Sequence, residues 1–139
     1  MTPKEKLKQY IPLSREVEQL GQRLAELEST MYAPKVPSGD GTPRGTGISD
    51  PTGRAVEQKE AIYTQYTEKR KALTAMLMEM EKSMEILTPT ERMLIRYRYM
   101  DGLAWENVCV TMGYSWTQIH RIHSAALIKL GTAEKEAQG

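Results

Sequence analysis

Thr88–Leu130, TPTERMLIRYRYMDGLAWENVCVTMGYSWTQIHRIHSAALIKL, is the stretch from which the rest of this 139-residue chain can be placed. Thr88-Pro89-Thr90-Glu91 has the form of a capping box. A threonine oxygen accepts from a free N–H of the first turn, the glutamate three residues on reaches back, and proline at the first helical position has no N–H to leave unpaired. Asp101-Gly102 and Met112-Gly113 each supply a glycine where helices most often stop, because glycine enters the left-handed backbone region without a Cβ penalty. Ser115 then offers a side-chain oxygen to cap a further helix. Three helices with two glycine stops are expected.

Within the last two, Cys109, Gly113 and Ile119 stand four and six residues apart, with Val108, Met112 and Ile122 around them. A helix-turn-helix needs a small residue where its helices cross, a glycine in the turn and a branched apolar residue locking the second helix onto the first. Val108, Cys109, Gly113, Ile119 and Ile122 are therefore read as the core of such a motif. At about 100° per residue along the helix from Trp116, Ile119, Ile122, Ala126 and Leu130 form the buried centre, with Leu127 at its margin. Thr117, Arg121 and Ser124 point away, flanked by Gln118 and His120. His123 falls about 40° from the buried centre, a core-margin position. Trp105 reads as packing, and Ile128 as an outward residue that meets the long helices or a partner.

The same residues carry a family resemblance. Leu87-Thr88-Pro89 with Glu91-Arg92, Tyr97 to Leu103, Glu106-Asn107-Val108, Gly113-Tyr114-Ser115, Ile119, Ala126-Leu127 and Lys129-Leu130 resemble region 4 of bacterial sigma factors. That module reads the upstream promoter element. The whole chain, with its helical front half and the glycine-rich break ending Ser49-Asp50-Pro51, resembles small sigma-like regulators carried by phages of low-GC Gram-positive bacteria. The resemblance implies a sequence-specific transcriptional regulator of phage or prophage origin in the bacterial cytoplasm. Its implied partners are double-stranded DNA and host RNA polymerase. Trp116, Thr117 and Gln118 stand where many sigma factors carry charged residues, so the family's base preference is not carried over.

In a helix-turn-helix the N-terminal part of the second helix enters the major groove. Arg121 then suits guanine edges, Gln118 adenine, and Thr117 a thymine methyl group or a phosphate, with His120 and Ser124 as further base-contact candidates. On the preceding helix Arg92, Arg96 and Tyr99 share the face opposite Leu94 and Tyr97. With Ser115, Trp116 and Lys129 they form the candidate set for DNA-backbone or polymerase contact. Trp116 has two readings, packing beside His123 or stacking along the DNA backbone. The plain alternative for all of these is a solvated polar face.

Upstream, Tyr10, Leu13, Val17, Leu20, Leu24, Leu27 and Met31 alternate three and four apart, a heptad seam that buries one helix edge against another. Ile62, Tyr66, Lys69, Leu73, Met76, Met80 and Leu87 repeat the spacing in a second helix, widened by Leu77 and Met84. Its methionines read as adaptable core. Prolines and glycines fill the segment between; no Gly-Lys-Ser/Thr ends it, which makes it a flexible connector and not a phosphate loop. The expected fold is all-α: a long antiparallel two-helix coiled-coil hairpin (helices 1–32 and 51–87, linker 33–50), then a three-helix C-terminal helix-turn-helix module (88–131) and a disordered tail (132–139). One shared seam leaves apolar surface uncovered, so homo-oligomerisation through residues 10–31 and 56–87 is expected.

Composition bounds the function. The net charge is +1, yet residues 88–131 carry five basic against three acidic side chains, with none acidic between Glu106 and Glu134. That is a modest basic face of the kind phosphate neutralisation needs. A single cysteine excludes an internal disulfide framework, and two histidines without a third ligand argue against a metal. No apolar run is long enough for a membrane span, and none follows the basic N-terminus as in a signal peptide. Without a catalytic constellation, neither enzyme activity, cofactor nor small-molecule substrate is expected. Two other readings stand beside the regulator. One is a small terminase-type DNA-packaging recognition subunit; the other is an RNA-polymerase-binding adaptor without sequence readout of its own.

Overall fold

Helices make up every regular element of the computed structural model, which describes residues 1–32 and 51–138 and shows no strand among them. In chain order they are α1 (Pro3–Lys8), α2 (Tyr10–Tyr32), α3 (Pro51–Ser83), a 3₁₀ turn (Met84–Ile86), α4 (Pro89–Ile95), a π-helical turn (Arg96–Met100), α5 (Trp105–Met112) and α6 (Trp116–Gln138). The all-α class is as expected. The linker expected over 33–50 lies outside the described residues. No helix among the described residues is long and apolar enough to cross a membrane.

The chain divides into two compact units, Glu16–Arg70 and Met1–Arg15 with Lys71–Gly139. In the first, α2 and α3 meet in antiparallel register. Glu16 pairs with Lys69 at 3.5 Å, Gly21 faces Tyr66, and Glu28 pairs with Lys59 at 3.4 Å, so numbers fall along α3 as they rise along α2. A Cβ on Gly21 would come within 3.3 Å of the Tyr66 ring, which marks a close approach of the two helices. Val17 and Leu24 are buried and Leu20, Leu27 and Ile62 half-buried, the inward edge that the three-four spacing demands.

In the second unit Met84, Leu94, Ile95, Val108 and Ile119 are sealed from solvent, with Leu7, Met80, Leu87, Tyr99, Ala126 and Leu130 around them. Local chemistry sets the helix ends. Thr88 Oγ accepts from the Glu91 N–H at 3.2 Å while the Glu91 carboxylate accepts from the Thr88 N–H at 2.9 Å, closing the expected capping box. Gly102 and Gly113 have φ of +71° and +73°, the left-handed stops.

Three features depart from expectation. First, the N-terminal helix is not continuous over 1–32. A second capping box, Thr2 with Glu5, starts α1 at Pro3, and α2 begins at Tyr10. Leu7 of α1 joins the core of this unit. Second, a π-helical turn follows α4, with the Asp101 N–H bonded to the Arg96 carbonyl at 2.9 Å. An i→i+5 bond takes one residue more per turn, so positions beyond Arg96 rotate off the i, i+4, i+7 stripe. Third, the tail expected to be disordered continues as helix to Gln138. Gly131 does not stop α6, because α1 lies against it. A Cβ there would meet Pro3 Cγ at 3.7 Å, and Lys6 pairs with Glu134 one turn on.

Candidate nucleic-acid interface

Between α5 and α6 the backbone turns through Gly113, and the Cys109 carbonyl accepts from the N–H of Gly113 (2.9 Å) and of Tyr114 (3.1 Å). Ser115 Oγ then accepts from the Gln118 N–H at 3.2 Å, and Gln118 Oε1 accepts from the Ser115 N–H at 3.0 Å. This reciprocal cap starts α6 at Trp116. Val108 of α5 and Ile119 of α6 are sealed beneath the corner; Cys109 and Ile122 are half-buried, and Gly113 is exposed. The five residues read as a motif core therefore all lie in or beside this corner.

On the far side of α6, Thr117, Arg121 and Ser124 are exposed, as is Ile128. Arg121 makes no hydrogen bond or ion pair among the described residues. Gln118 is exposed too, but its side-chain carbonyl accepts from the Ser115 N–H, which holds the side chain back against the start of α6 and leaves its amide N–H groups and one oxygen lone pair for any partner. Val110, Tyr114 and Trp116 add large apolar side chains to the exposed surface of the corner.

Two candidate residues sit elsewhere than expected, and two more are already paired. His120 is not on an open outward face. Its ring lies between Trp105 and Trp116, with centroids 4.8 and 4.5 Å away, and its Nε2 is buried without a partner. Tyr99 is buried, rotated inward by the π-helical turn, and its hydroxyl lies 2.7 Å from His123 Nε2. Arg96 is half-exposed but holds Glu81 through two N–H bonds of 2.6 and 3.2 Å. Lys129 Nζ donates to Glu91 Oε1 at 2.6 Å, linking α6 to the cap of α4. Arg92, half-buried, and Ser115, in its cap, complete the set. Trp116 packs on His120 and not beside His123, where Trp105 lies instead, and about half of its surface stays exposed.

The electrostatics follow from these contacts. Burial lowers the His123 pKa to about 4, with the charges of Lys4, His120 and Arg98 acting in the same direction. Burial raises the Tyr99 phenol, opposed by Arg98, so both partners are neutral near pH 7. Burial pushes the Glu91 carboxyl up, but hydrogen bonds from Lys129 and Thr88 outweigh it and hold the group below its ordinary range. The Arg96 hydrogen bonds lower Glu81 and raise Arg96 itself. Arg98 stands over the Trp105 ring at 4.7 Å and donates to the Leu103 carbonyl, so it too is occupied.

The reading of residues 88–130 alone missed α1. Its signal was present, since Thr2-Pro3-Lys4-Glu5 repeats the Thr-Pro-x-Glu form of Thr88–Glu91. Among the described residues no three His, Cys, Asp or Glu side chains gather as a metal site requires. Comparison with family models, curated proteins and solved structures finds no match to this chain.

Proposed function

We propose that this chain is a sequence-specific DNA-binding transcriptional regulator in which α5, the Gly113 turn and α6 form a helix-turn-helix. The N-terminal half of α6 lies in the major groove, and the α2–α3 pair is a coiled-coil hairpin through which copies associate. One observation carries the reading. The corner is locked on its inner side by Val108 and Ile119 while Thr117, Arg121 and Ser124 stand free on the outer side. A rigid corner with an uncommitted arginine is what direct readout of base edges requires. The phage or prophage origin, the bacterial cytoplasm and a contact with RNA polymerase rest on the sigma region 4 resemblance. No enzymatic activity is part of the proposal.

Selection of bound sequences from random duplex DNA tests it, with wild type and Arg121→Ala side by side. Wild type is expected to enrich a motif, and the variant to lose roughly 5- to 150-fold in affinity with relaxed preference at one base pair, the worth of a bidentate arginine–guanine contact. Enrichment of no sequence by wild type would sink the reading. The exposed Val110, Tyr114 and Trp116 favour a second one, a polymerase-binding adaptor without its own readout, because large apolar side chains fit a protein surface. Retained polymerase capture by a chain that enriches no DNA sequence would select it.

A further inference from the structure

The unit that holds the α5–α6 corner owes its net positive charge to residues far away in sequence. Residues 1–15 contain Lys4, Lys6, Lys8 and Arg15 against Glu5 alone, whereas residues 71–139 contain eight basic and eight acidic side chains. Several of those eight cations are already occupied: Arg96 by Glu81, Lys129 by Glu91, and Arg98 by Trp105 and the Leu103 carbonyl. On its own, then, the corner offers little charge to a polyanion beyond Arg121.

Tertiary packing brings the missing charge to α6. Leu7 anchors α1 in the core, Pro3 lies over Gly131, and Lys6 pairs with Glu134. Lys4 and Lys8, one helical turn apart on the same side of α1, are exposed and form no ion pair or hydrogen bond among the described residues. Both lysines therefore ride on the C-terminal part of α6, where Pro3 lies over Gly131, about 15 Å along the helix from Arg121.

We infer that Lys4 and Lys8 form a phosphate-binding arm, docked by α1 on the C-terminal part of α6, that grips the DNA backbone. The inference rests on the DNA-binding reading and adds to it where the sequence-independent part of the affinity comes from. Neutralising a phosphate releases condensed counterions, which ties the number of contacts to the slope of log affinity against log salt at about 0.9 per contact.

The test titrates full-length protein into a labelled duplex carrying the selected sequence and into a scrambled duplex, at several salt concentrations. Three proteins are compared: wild type, Lys4→Gln/Lys8→Gln, and a charge-matched control on α3, Lys71→Gln/Lys82→Gln. The arm variant is expected to lose roughly 10- to 60-fold on both duplexes alike near 0.1 M salt, with a slope shallower by about 2. The control should bind as wild type does. Since both arm lysines are exposed, unchanged circular dichroism and melting are expected to accompany the loss. An arm variant with wild-type affinity and slope, or a control that loses as much, overturns the arm while leaving the DNA-binding reading intact. Wild type that binds neither duplex overturns both.

Discussion

Tyr99 and His123 share a 2.7 Å hydrogen bond in a place from which water is shut out, and each is neutral there. Tyr99→Phe keeps the ring but strands a buried ring nitrogen, so urea unfolding should show a loss of about 1–3 kcal/mol. The histidine also sets a pH dependence whose sign is fixed. In the unfolded chain its pKa is near 6.5, in the folded protein about 4, so between those values the unfolded chain binds the extra proton. Stability is therefore full above pH 6.5 and falls as pH drops toward 4, by up to ~3 kcal/mol. Glu91, held below its ordinary value of 4.5, loses its contribution only at still lower pH, which leaves pH 4.5 to 6.5 to the histidine. Urea unfolding at pH 7 and pH 4.5 should show the drop in wild type and a smaller one in His123→Gln.

Among the elements, the corner depends on one backbone conformation. Gly113 has φ +73°, and a Cβ there would meet nothing within 4 Å, so Gly113→Ala incurs backbone strain without a clash. A loss of about 1–2 kcal/mol in chemical denaturation is expected, with the fold retained. Gly102 differs, because its Cβ would also press on Ile11 Cδ1 at 3.3 Å. The π-helical turn is the element that rearranges the candidate site. It leaves Arg96 exposed and sends Tyr99 inward, where a uniform helix would have kept both with Arg92 on one stripe.

For the molecule as a whole, α1 is small but not peripheral. Leu7 is 4% exposed and belongs to the same cluster as Leu94, Val108 and Ile119. Leu7→Ala should therefore cost about 2–5 kcal/mol, as a cavity in the core does. Hydrogen exchange should then quicken along α6 beyond Gly131, the part of the helix on which α1 lies. Faster exchange confined to residues 3–8 would show instead that α1 is a passenger on that core.

How far these features could be read without coordinates follows from the range of the forces behind them. The helix start at Thr88, the stops at Gly102 and Gly113 and the cap at Ser115 depend on groups within about five residues of one another, and the primary structure shows them directly. The three-four spacing that buries Val17 and Leu24 is equally local, because the period of the helix alone sets it. Arg96 was out of reach, since its partner Glu81 is fifteen residues away; so was Lys129, thirty-eight residues from Glu91. Tyr99 meets His123 across twenty-four residues, through a π-helical turn that no spacing announces. The docking of α1 spans nearly the whole chain, and with it come both the helix past Gly131 and the lysines beside α6. Caps and periods belong to the chain as written. Which charges are free, and which aromatic rings are drawn into the core, emerge only when distant segments compete for the same space.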